Sequence, residues 1–373
     1  MKKVFLSVLL FSVFAASPLR AAEEPKLPVA GREDALTFAR FQSAAGRHLM
    51  LVSSYEAGKV TGIDLTALLG AEMDDPITVY RTLGYDALAA MEGPAIVTDV
   101  DRLVLPVDLT ASHIAAGTNF PAHAEEASVD EGPFLFAKEV TPTAFNAPIP
   151  AAPGVLLDYE VELCVVALKT FPVDTPPDRA GLMMCNDVTD RASLMRHLDP
   201  FDVASGKGFT TGKSAPGYLP VGSLFVIPRD LRAFMPGIEL RLYRNGELAQ
   251  SARQSQAIWD FDEILNQARL RADIRWDYQD RKVGLPLPNG EVPARTAILA
   301  GTPDGTIFAG IDTMAMVMGS VDWLLGGWDR SIAYWIVERQ IARAAAEGQY
   351  LQPGERVQIR ADFLGELNNP IVE

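Results

Sequence analysis

The stretch Leu157–Ala167, LDYEVELCVVA, decides the fold that we expect for this chain. Its branched and aromatic side chains predict a buried β-strand, yet Asp158, Glu160 and Glu162 stand at alternate positions and would share one face. Such neighbours lie about 7 Å apart on a strand, so three like charges in a low-dielectric site are costly. The other face is apolar, and Cys164–Ala167 continues the strand as a buried one. A solvated strand with alternating charge is one interpretation, and a bound cation is the other.

The N-terminus has the pattern of a secretory signal peptide. Lys2 and Lys3 precede the apolar run 4–16, and small residues up to Ala21 supply a cleavage site. The run is too short to span a membrane, and an N-terminal core helix is the less favoured alternative. We therefore assign residues 1–21 to a signal peptide and expect a periplasmic or secreted protein.

Composition describes an ordinary globular protein with an acidic balance. The 373 residues are 48% hydrophobic and 22% charged, and the formal net charge is −15, which becomes −18 once Lys2, Lys3 and Arg20 are removed. This charge disfavours nucleic acid and anionic lipid surfaces as partners. Cys164 and Cys185 could form a disulfide in an oxidising compartment, but two independent buried thiols are the favoured interpretation.

Patterning predicts an α+β fold that is mostly β. Short alternating stretches and one helical stretch suggest a small N-terminal α+β module over residues 22–105, followed by a longer, mostly β domain over 106–373. Within that domain Asn245-Gly246 predicts a tight hairpin, and 258–270 predicts a helix. Asp312 and Asp322 interrupt the apolar run 311–328, so no membrane span is expected there. With the amphipathic segment 331–349 it is interpreted as a core helix pair, in preference to a lid or a membrane-contacting element.

Two groups of residues could carry chemistry. Glu160 and Glu162 offer oxygen ligands of the kind that Mg²⁺, Mn²⁺ or Ca²⁺ prefers, and Asp187 offers a third. His123 and Glu126 are three residues apart, which places them on one face of a helix, where a carboxylate can orient a histidine as a general base. An isolated pair of this kind is more often a surface ion pair.

Several other motifs are excluded. The glycines before Gly212-Lys213-Ser214 have the wrong spacing for a phosphate-binding loop, and Pro216 excludes the helix that such a loop needs. No serine-hydrolase elbow and no H-E-x-x-H zinc motif are present in the sequence. His48, His113 and His197 lack partners at metal-ligand spacing and are expected to be structural.

Eight ordered motifs resemble the fumarylacetoacetate hydrolase family and together cover most of the chain. Seven of them lie in the larger domain, and they read GTNFPAHAEE (117–126), PFLFAK (133–138), LDYEVELCVV (157–166), CNDVTDR (185–191), KSAPGYLPVG (213–222), LAGTPDG (299–305) and LQPGERVQIRADFLGELNNPI (351–371). The N-terminal stretch from Leu36 to Gly70 is similar to the small module of that family. The resemblance implies a mixed β-sandwich or roll, interrupted here by an unusually long insertion at about 306–350.

The resemblance also implies roles for individual residues. It makes Glu160, Glu162 and Asp187 the ligands of a divalent ion, Mg²⁺ or else Mn²⁺ or Ca²⁺, with Asp158 at the edge of the cluster. It makes His123 and Glu126 the dyad that activates water, and Lys213 the cation that steadies negative charge on the substrate. Three further residues are implied to contact the substrate, namely Phe120, Arg191 and Thr302. Leu194 stands where many relatives have a glutamine.

The implied activity is metal-dependent hydrolysis of a C–C bond in a small anionic 2-oxo acid or β-dicarbonyl. Decarboxylation, hydration and isomerisation of a related 2-oxo acid are alternatives on the same site, because each needs the same electron sink. A non-catalytic periplasmic binding protein is a further alternative. Relatives are usually homodimers, so a homodimer is expected here, and the apolar insertion could cap the site or add to an interface.

Overall fold

A computed structural model of the chain describes residues 27–127, 129, 131–308 and 310–373. The predicted signal peptide lies outside the described residues. The strands, in chain order, are β1 Ala35–Ser43, β2 Gly46–Glu56, β3 Lys59–Asp64, β4 Ala95–Asp99, β5 Leu103–Val104, β6 Ser112–Gly117, β7 Phe134–Glu139, β8 Ile149–Pro150, β9 Leu157–Asp158, β10 Val161–Val166, β11 Phe171–Pro172, β12 Gly181–Asn186, β13 Thr189–Asp190, β14 Phe225–Pro228, β15 Glu239–Arg244, β16 Glu247–Arg253, β17 Trp276–Tyr278, β18 Arg281–Val283, β19 Glu291–Val292, β20 Ala297–Leu299, β21 Arg356–Ala361 and β22 Gly365–Val372.

The helices are short except for two near the C-terminus. In chain order they are α1 Leu65–Leu69, α2 Pro76–Leu83, α3 Tyr85–Ala89, α4 Pro121–Glu126, α5 Arg191–His197, α6 Phe209–Lys213, α7 Leu231–Phe234, α8 Phe261–Leu270, α9 Thr313–Leu324 and α10 Ile332–Glu347. The expected α+β fold is confirmed, with more strand than helix.

One large sheet positions the site. Its path runs β4-β3-β2-β1-β14-β12-β10-β20-β6-β7, and β5 pairs with β1. The N-terminal strands therefore join the same sheet as the later ones, through antiparallel pairing of β1 with β14. A second sheet, in the order β16-β15-β21-β22-β8, packs beside it. The division at residue 105 stays a prediction.

Local signals account for several elements. Asp75 caps α2 by accepting the Thr78 N–H, and Pro76 opens the helix with a fixed φ. Asn245 and Gly246 both have positive φ, at 52° and 87°, and they form a two-residue turn between β15 and β16. This is the backbone that the Asn-Gly pair predicted.

The opening stretch is buried on both faces, but it is not one continuous strand. Pairing stops at Tyr159 and Glu160, so β9 and β10 are separate. Beyond the break β10 lies between β12 and β20, with every residue buried. Val161, Leu163 and Val165 join one hydrophobic core, while Cys164 and Val166 join another on the opposite side of the sheet. The predicted buried continuation is confirmed, and the predicted single strand is not.

The interpretation of 311–349 as a core helix pair is only partly right. Both helices form and pack on each other, and α10 packs on α5. However, α9 buries only Ala315 and Gly319, and most of its other apolar residues are exposed. Over the described residues, none of the helices has both the length and the apolar content that crossing a membrane requires.

Candidate metal centre and catalytic dyad

The break after Asp158 brings two acidic segments together. The Asp187 N–H donates to the Glu160 carbonyl at 2.9 Å, and the Glu160 N–H donates to Oδ1 of Asn186 at 2.9 Å. Val161 then pairs with Asn186 at the start of the β10–β12 ladder. The chain thereby holds Glu160 and Asp187 side by side at the end of two buried strands.

Glu160, Glu162 and Asp187 form a compact buried cluster. Each offers a carboxylate oxygen, and these three oxygens lie within 4.8 Å of one another. All three residues are at least 96% buried. Three carboxylates so close together, and so well shielded from water, need positive charge nearby. The cluster that the sequence predicted is therefore present in the fold.

Two buried lysines supply part of that positive charge. Lys213, at the end of α6, places its Nζ 2.6 Å from Oε2 of Glu160 and 2.8 Å from Oδ2 of Asp187. Lys138, on β7, lies 2.5 Å from Oδ1 of Asp187 and also donates to the Lys213 carbonyl. Lys213 thus lies against the cluster, its action on a substrate stays a prediction, and Lys138 is a member that the sequence reasoning did not assign.

Arg191 pairs with carboxylates inside the protein. Its Nε donates to Oδ2 of Asp158 at 2.8 Å, and its Nη2 donates to Oε1 of Glu160 at 2.6 Å. Its guanidinium also lies 5.4 Å from the ring centre of Phe308. Asp158 additionally accepts the backbone N–H groups of Ile307 and Phe308 at 3.0 and 3.2 Å. These contacts place Asp158 beside the cluster and tie the start of the insertion to it.

The charges around Glu160 and Glu162 differ. Burial by itself would raise the pKa of Glu160, but Lys213, Arg191 and His123 together lower that pKa to about 2. For Glu162, burial and the charges of Asp187 and Glu160 raise the pKa well above its usual value. Among the described residues no cationic side chain forms an ion pair with Glu162, which accepts the Gly301 N–H at 2.8 Å. A divalent cation fits here, because it would give the Glu162 carboxylate a positively charged partner.

His123 and Glu126 form the predicted dyad on α4. Nδ1 of His123 lies 3.1 Å from Oε2 of Glu126, and the histidine is buried. Glu126 also accepts the Gly305 N–H and the Thr306 hydroxyl, each at 3.1 Å. Because these donors fix Glu126, the carboxylate in turn fixes the histidine ring, and Nε2 is left for another partner. The Gly305 N–H binds Glu126 and the Ile307 N–H binds Asp158, so one short segment joins the dyad to the cluster.

The segment from Gly301 to Phe308 connects the parts of the site. Its backbone and hydroxyl groups bind Glu162, Glu126 and Asp158 in turn. Thr302, predicted to contact the substrate, is buried and accepts from Nε2 of Gln250 at 3.0 Å. Phe120, also predicted to contact the substrate, is buried and is the N-cap residue of α4.

Sequence reasoning missed Lys138 and Gln250 as members of the site. Lys138 follows the apolar run FLFA, and a lysine at the end of a buried strand is a signal that it needs an acidic partner. Gln250 donates to Thr302 and to the Pro303 carbonyl, and it accepts the Val161 N–H at 3.0 Å. No local pattern marks Gln250, because it lies on an ordinary alternating strand.

The interpretation of the two cysteines as independent thiols is wrong. Cys164 and Cys185 form a disulfide, with Cα atoms 6.1 Å apart. The residues are on adjacent strands, since Glu162 pairs with Cys185 and Cys164 with Met183. The bond therefore links the strand that carries Glu162 to the strand that leads into Asp187.

Comparison with known proteins gives one family. The model of the fumarylacetoacetate (FAA) hydrolase C-terminal family matches residues 112–372. An uncharacterised protein of Staphylococcus epidermidis is 28% identical over 176 residues, which is 45% of this chain and 55% of the relative. The chain thus spans about half the length of this curated relative.

Solved structures share the fold at low sequence identity. A fumarylacetoacetate hydrolase from Exiguobacterium antarcticum is 21% identical with a TM-score of 0.54, over 90% of this chain and 99% of that one. A 2-hydroxyhepta-2,4-diene-1,7-dioate isomerase from Mycobacterium marinum is 18% identical with a TM-score of 0.53, over 90% and 98%. A 5-carboxymethyl-2-hydroxymuconate delta-isomerase from Mycobacterium smegmatis is 18% identical with a TM-score of 0.52, over the same shares.

Proposed function

The chain belongs to the fumarylacetoacetate hydrolase family, and from that premise we propose that it is a metal-dependent enzyme that cleaves a C–C bond in a small 2-oxo acid or β-dicarbonyl. The observation that carries the proposal is the buried triad of Glu160, Glu162 and Asp187, with His123 and Glu126 beside it. Carboxylate oxygens as ligands favour Mg²⁺, Mn²⁺ or Ca²⁺ over softer metals. A divalent ion held by this triad would polarise a substrate carbonyl and stabilise enolate charge.

The residues of the chain then divide the remaining work. His123 accepts a proton from water at Nε2, while Glu126 holds the ring through Nδ1. The hydroxide adds to the substrate carbonyl, and as the C–C bond breaks its electron pair passes to the neighbouring oxygen as an enolate. The positive charge of Lys213 stabilises that enolate. The proton taken by His123 then returns to the enolate carbon, so one water is consumed and two products leave.

Arg191 fits a positioning role better than direct contact with the substrate. Its guanidinium binds Asp158 and Glu160, and it is buried against Phe308. A substrate carboxylate would have to displace one of these partners. We therefore propose that Arg191 orients Glu160, and that Thr302 and Phe120 line the substrate side of the site.

We also propose that the protein is exported to the periplasm or beyond the cell, and that it acts there on an extracytoplasmic substrate. The disulfide between Cys164 and Cys185 supports this proposal, because such bonds persist in oxidising compartments. The N-terminal pattern of residues 1–21 supports it independently.

Turnover by a His123→Ala variant tests the catalytic proposal. With Mg²⁺ and a panel of acylpyruvates and oxaloacetate, we expect the wild type to form product and the variant to lose turnover while it still binds metal. Equal turnover by both proteins would refute the role of the dyad. Substrate binding without any product from the wild type would instead favour a binding protein.

Isomerisation is a second candidate, because two of the structural neighbours carry isomerase names. Labelled water separates the two reactions. Hydrolysis in water enriched in heavy oxygen places the label in the product carboxylate. Isomerisation consumes no water, so in the same heavy-oxygen water the carboxylates of its product stay unlabelled.

A further inference from the structure

The helical hairpin formed by α9 and α10 carries an unusual concentration of exposed apolar side chains. Eleven of the nineteen exposed large hydrophobic residues in the described part of the chain lie between Ile311 and Tyr334. Gly319 brings α9 close to α10, since a Cβ atom there would lie 2.5 Å from the backbone of Ile336. Gly319 and Ala315 therefore define the inner face of α9, and its other face points away from the protein.

The outward face of α9 forms a continuous stripe. Its residues follow the spacing i, i+3, i+4, i+7, i+10 and i+11, which places them along one side of a helix. We name this set the apolar stripe, and it consists of Met314, Val317, Met318, Val321, Leu324 and Leu325. Leu325 is 82% exposed, and Trp328 in the following turn is 72% exposed. Such spacing is typical of a helix that packs against another helix.

We propose that the apolar stripe docks against the apolar stripe of a second copy of this chain. The six side chains of the stripe and that of Trp328 each expose roughly 100 Å², which gives ~700 Å² per copy, close to the ~800 Å² per partner of a standard interface. The same area exceeds the ~300–600 Å² of the largest apolar patch on a typical monomer. A self-complementary stripe also suits a two-fold axis, at which the same surface contributes to both sides.

Charge favours a second copy over a lipid surface. The full sequence has a net charge of −15, so copies repel each other, and an uncharged surface is where they can associate at the least electrostatic cost. The stripe is uncharged, and the one charged residue of α9, Asp322, is paired with Arg339 of α10. α9 has no lysine or arginine, whereas helices that lie on membranes carry these residues on their polar face.

Two substitutions on the stripe and one matched control test the proposal. Val317→Asp combined with Val321→Asp places two carboxylates on the stripe of each copy. Met316→Asp introduces one carboxylate on the same helix at an exposed position outside the stripe, and the single variant Val317→Asp is its counterpart of equal charge on the stripe. Sedimentation velocity of the full metal-loaded protein over a range of concentrations gives the mass and the dissociation constant.

We expect the wild type and Met316→Asp to associate, and the double variant to dissociate with a constant at least about a hundredfold higher, because like charges at an interface repel. Circular dichroism and metal content should match in all four proteins, since the substituted side chains are exposed. Equal mass for the wild type and the double variant would overturn the proposal. This holds whether both proteins are monomers or both associate through another face. A monomeric wild type that co-sediments with phosphatidylcholine vesicles would overturn it in favour of a membrane surface.

Discussion

Breaking the disulfide should lower the stability of the protein by an amount that its loop length determines. Cys164 and Cys185 are 21 residues apart, and closing a loop of that length removes enough chain entropy from the unfolded state to stabilise the fold by about 3 kcal/mol. Because the bond is buried, we do not expect reductant to reach it in the folded protein. Reduction should therefore act through the unfolded state.

Equilibrium unfolding in guanidinium chloride measures this effect. We expect the free energy of unfolding to fall by about 3 kcal/mol when the wild type is unfolded and refolded in reductant. The variant Cys164→Ala with Cys185→Ala should fall by a similar amount and should not respond to reductant, which makes it the control. A fall below about 1 kcal/mol in both would show that the cross-link hardly constrains the unfolded chain.

The same perturbation should reach the proposed metal site. Glu162 lies two residues before Cys164, and Asp187 lies two residues after Cys185, so the bond holds two of the three acidic residues in register. We expect the double alanine variant to bind Mg²⁺ about tenfold more weakly, the lower end of the loss seen when outer partners of metal ligands are removed. Titration calorimetry on folded protein checks this, and an unchanged affinity would restrict the role of the bond to stability.

Three further predictions concern the charges of the site. Because the pKa of Glu162 is raised in the fold, the metal-free protein should lose stability as pH rises above about 4.5, by up to about 1.4 kcal/mol per pH unit. In chelator, the free energy of unfolding of Glu162→Gln should therefore increase relative to that of the wild type over this pH range. A difference that does not depend on pH would contradict this. Lys138→Met leaves Asp187 with one cation fewer, so without metal the free energy of unfolding should fall by about 3–5 kcal/mol, and Mg²⁺ should reduce this loss. Equal losses with and without Mg²⁺ would argue against a shared cluster. Asp158→Asn should speed hydrogen exchange at the Phe308 amide about tenfold or more, measured by mass spectrometry, and unchanged exchange would refute the anchoring role.

Much of the fold was predictable because its signals are local. Alternation of apolar and polar side chains identifies β1 to β3. The Asn245-Gly246 pair identifies a hairpin without reference to the rest of the fold. The break at Tyr159 was not predictable in the same way. It arises because the Glu160 N–H binds the side chain of Asn186 in place of a strand partner, a contact between residues far apart in sequence.

The acidic part of the site was predictable, but its cations were only partly so. Alternating carboxylates on an otherwise buried strand indicate a site that needs positive charge. Which cations supply it depends on the approach of β7 and α5, and no spacing rule specifies that approach. Lys138 and Arg191 therefore could be placed only from the structure.

The disulfide and the exposure of α9 were interpreted wrongly for a common reason. Apolar composition indicates burial, but it does not tell which partner covers a side chain. Cysteines in two buried strands pair only if the register brings their Cα atoms within about 7 Å, which β10 and β12 achieve. An apolar helix likewise can be covered by its own chain or by another molecule, and only the fold shows that α10 covers one face of α9.

The charge of the cluster suggests what kind of substrate completes it. Asp158 lies beside the three acidic residues of the triad, so the cluster contains four carboxylates, and its cations are Lys138, Lys213 and Arg191. The four carboxylates and three cations leave a net charge of −1. When no ion is bound, the raised pKa of Glu162 favours its protonated form, which neutralises this charge. A divalent ion that displaces this proton would bring the cluster to one positive charge. A substrate with one carboxylate restores neutrality in a site where an uncompensated charge is costly, which favours a 2-oxo acid over an uncharged diketone.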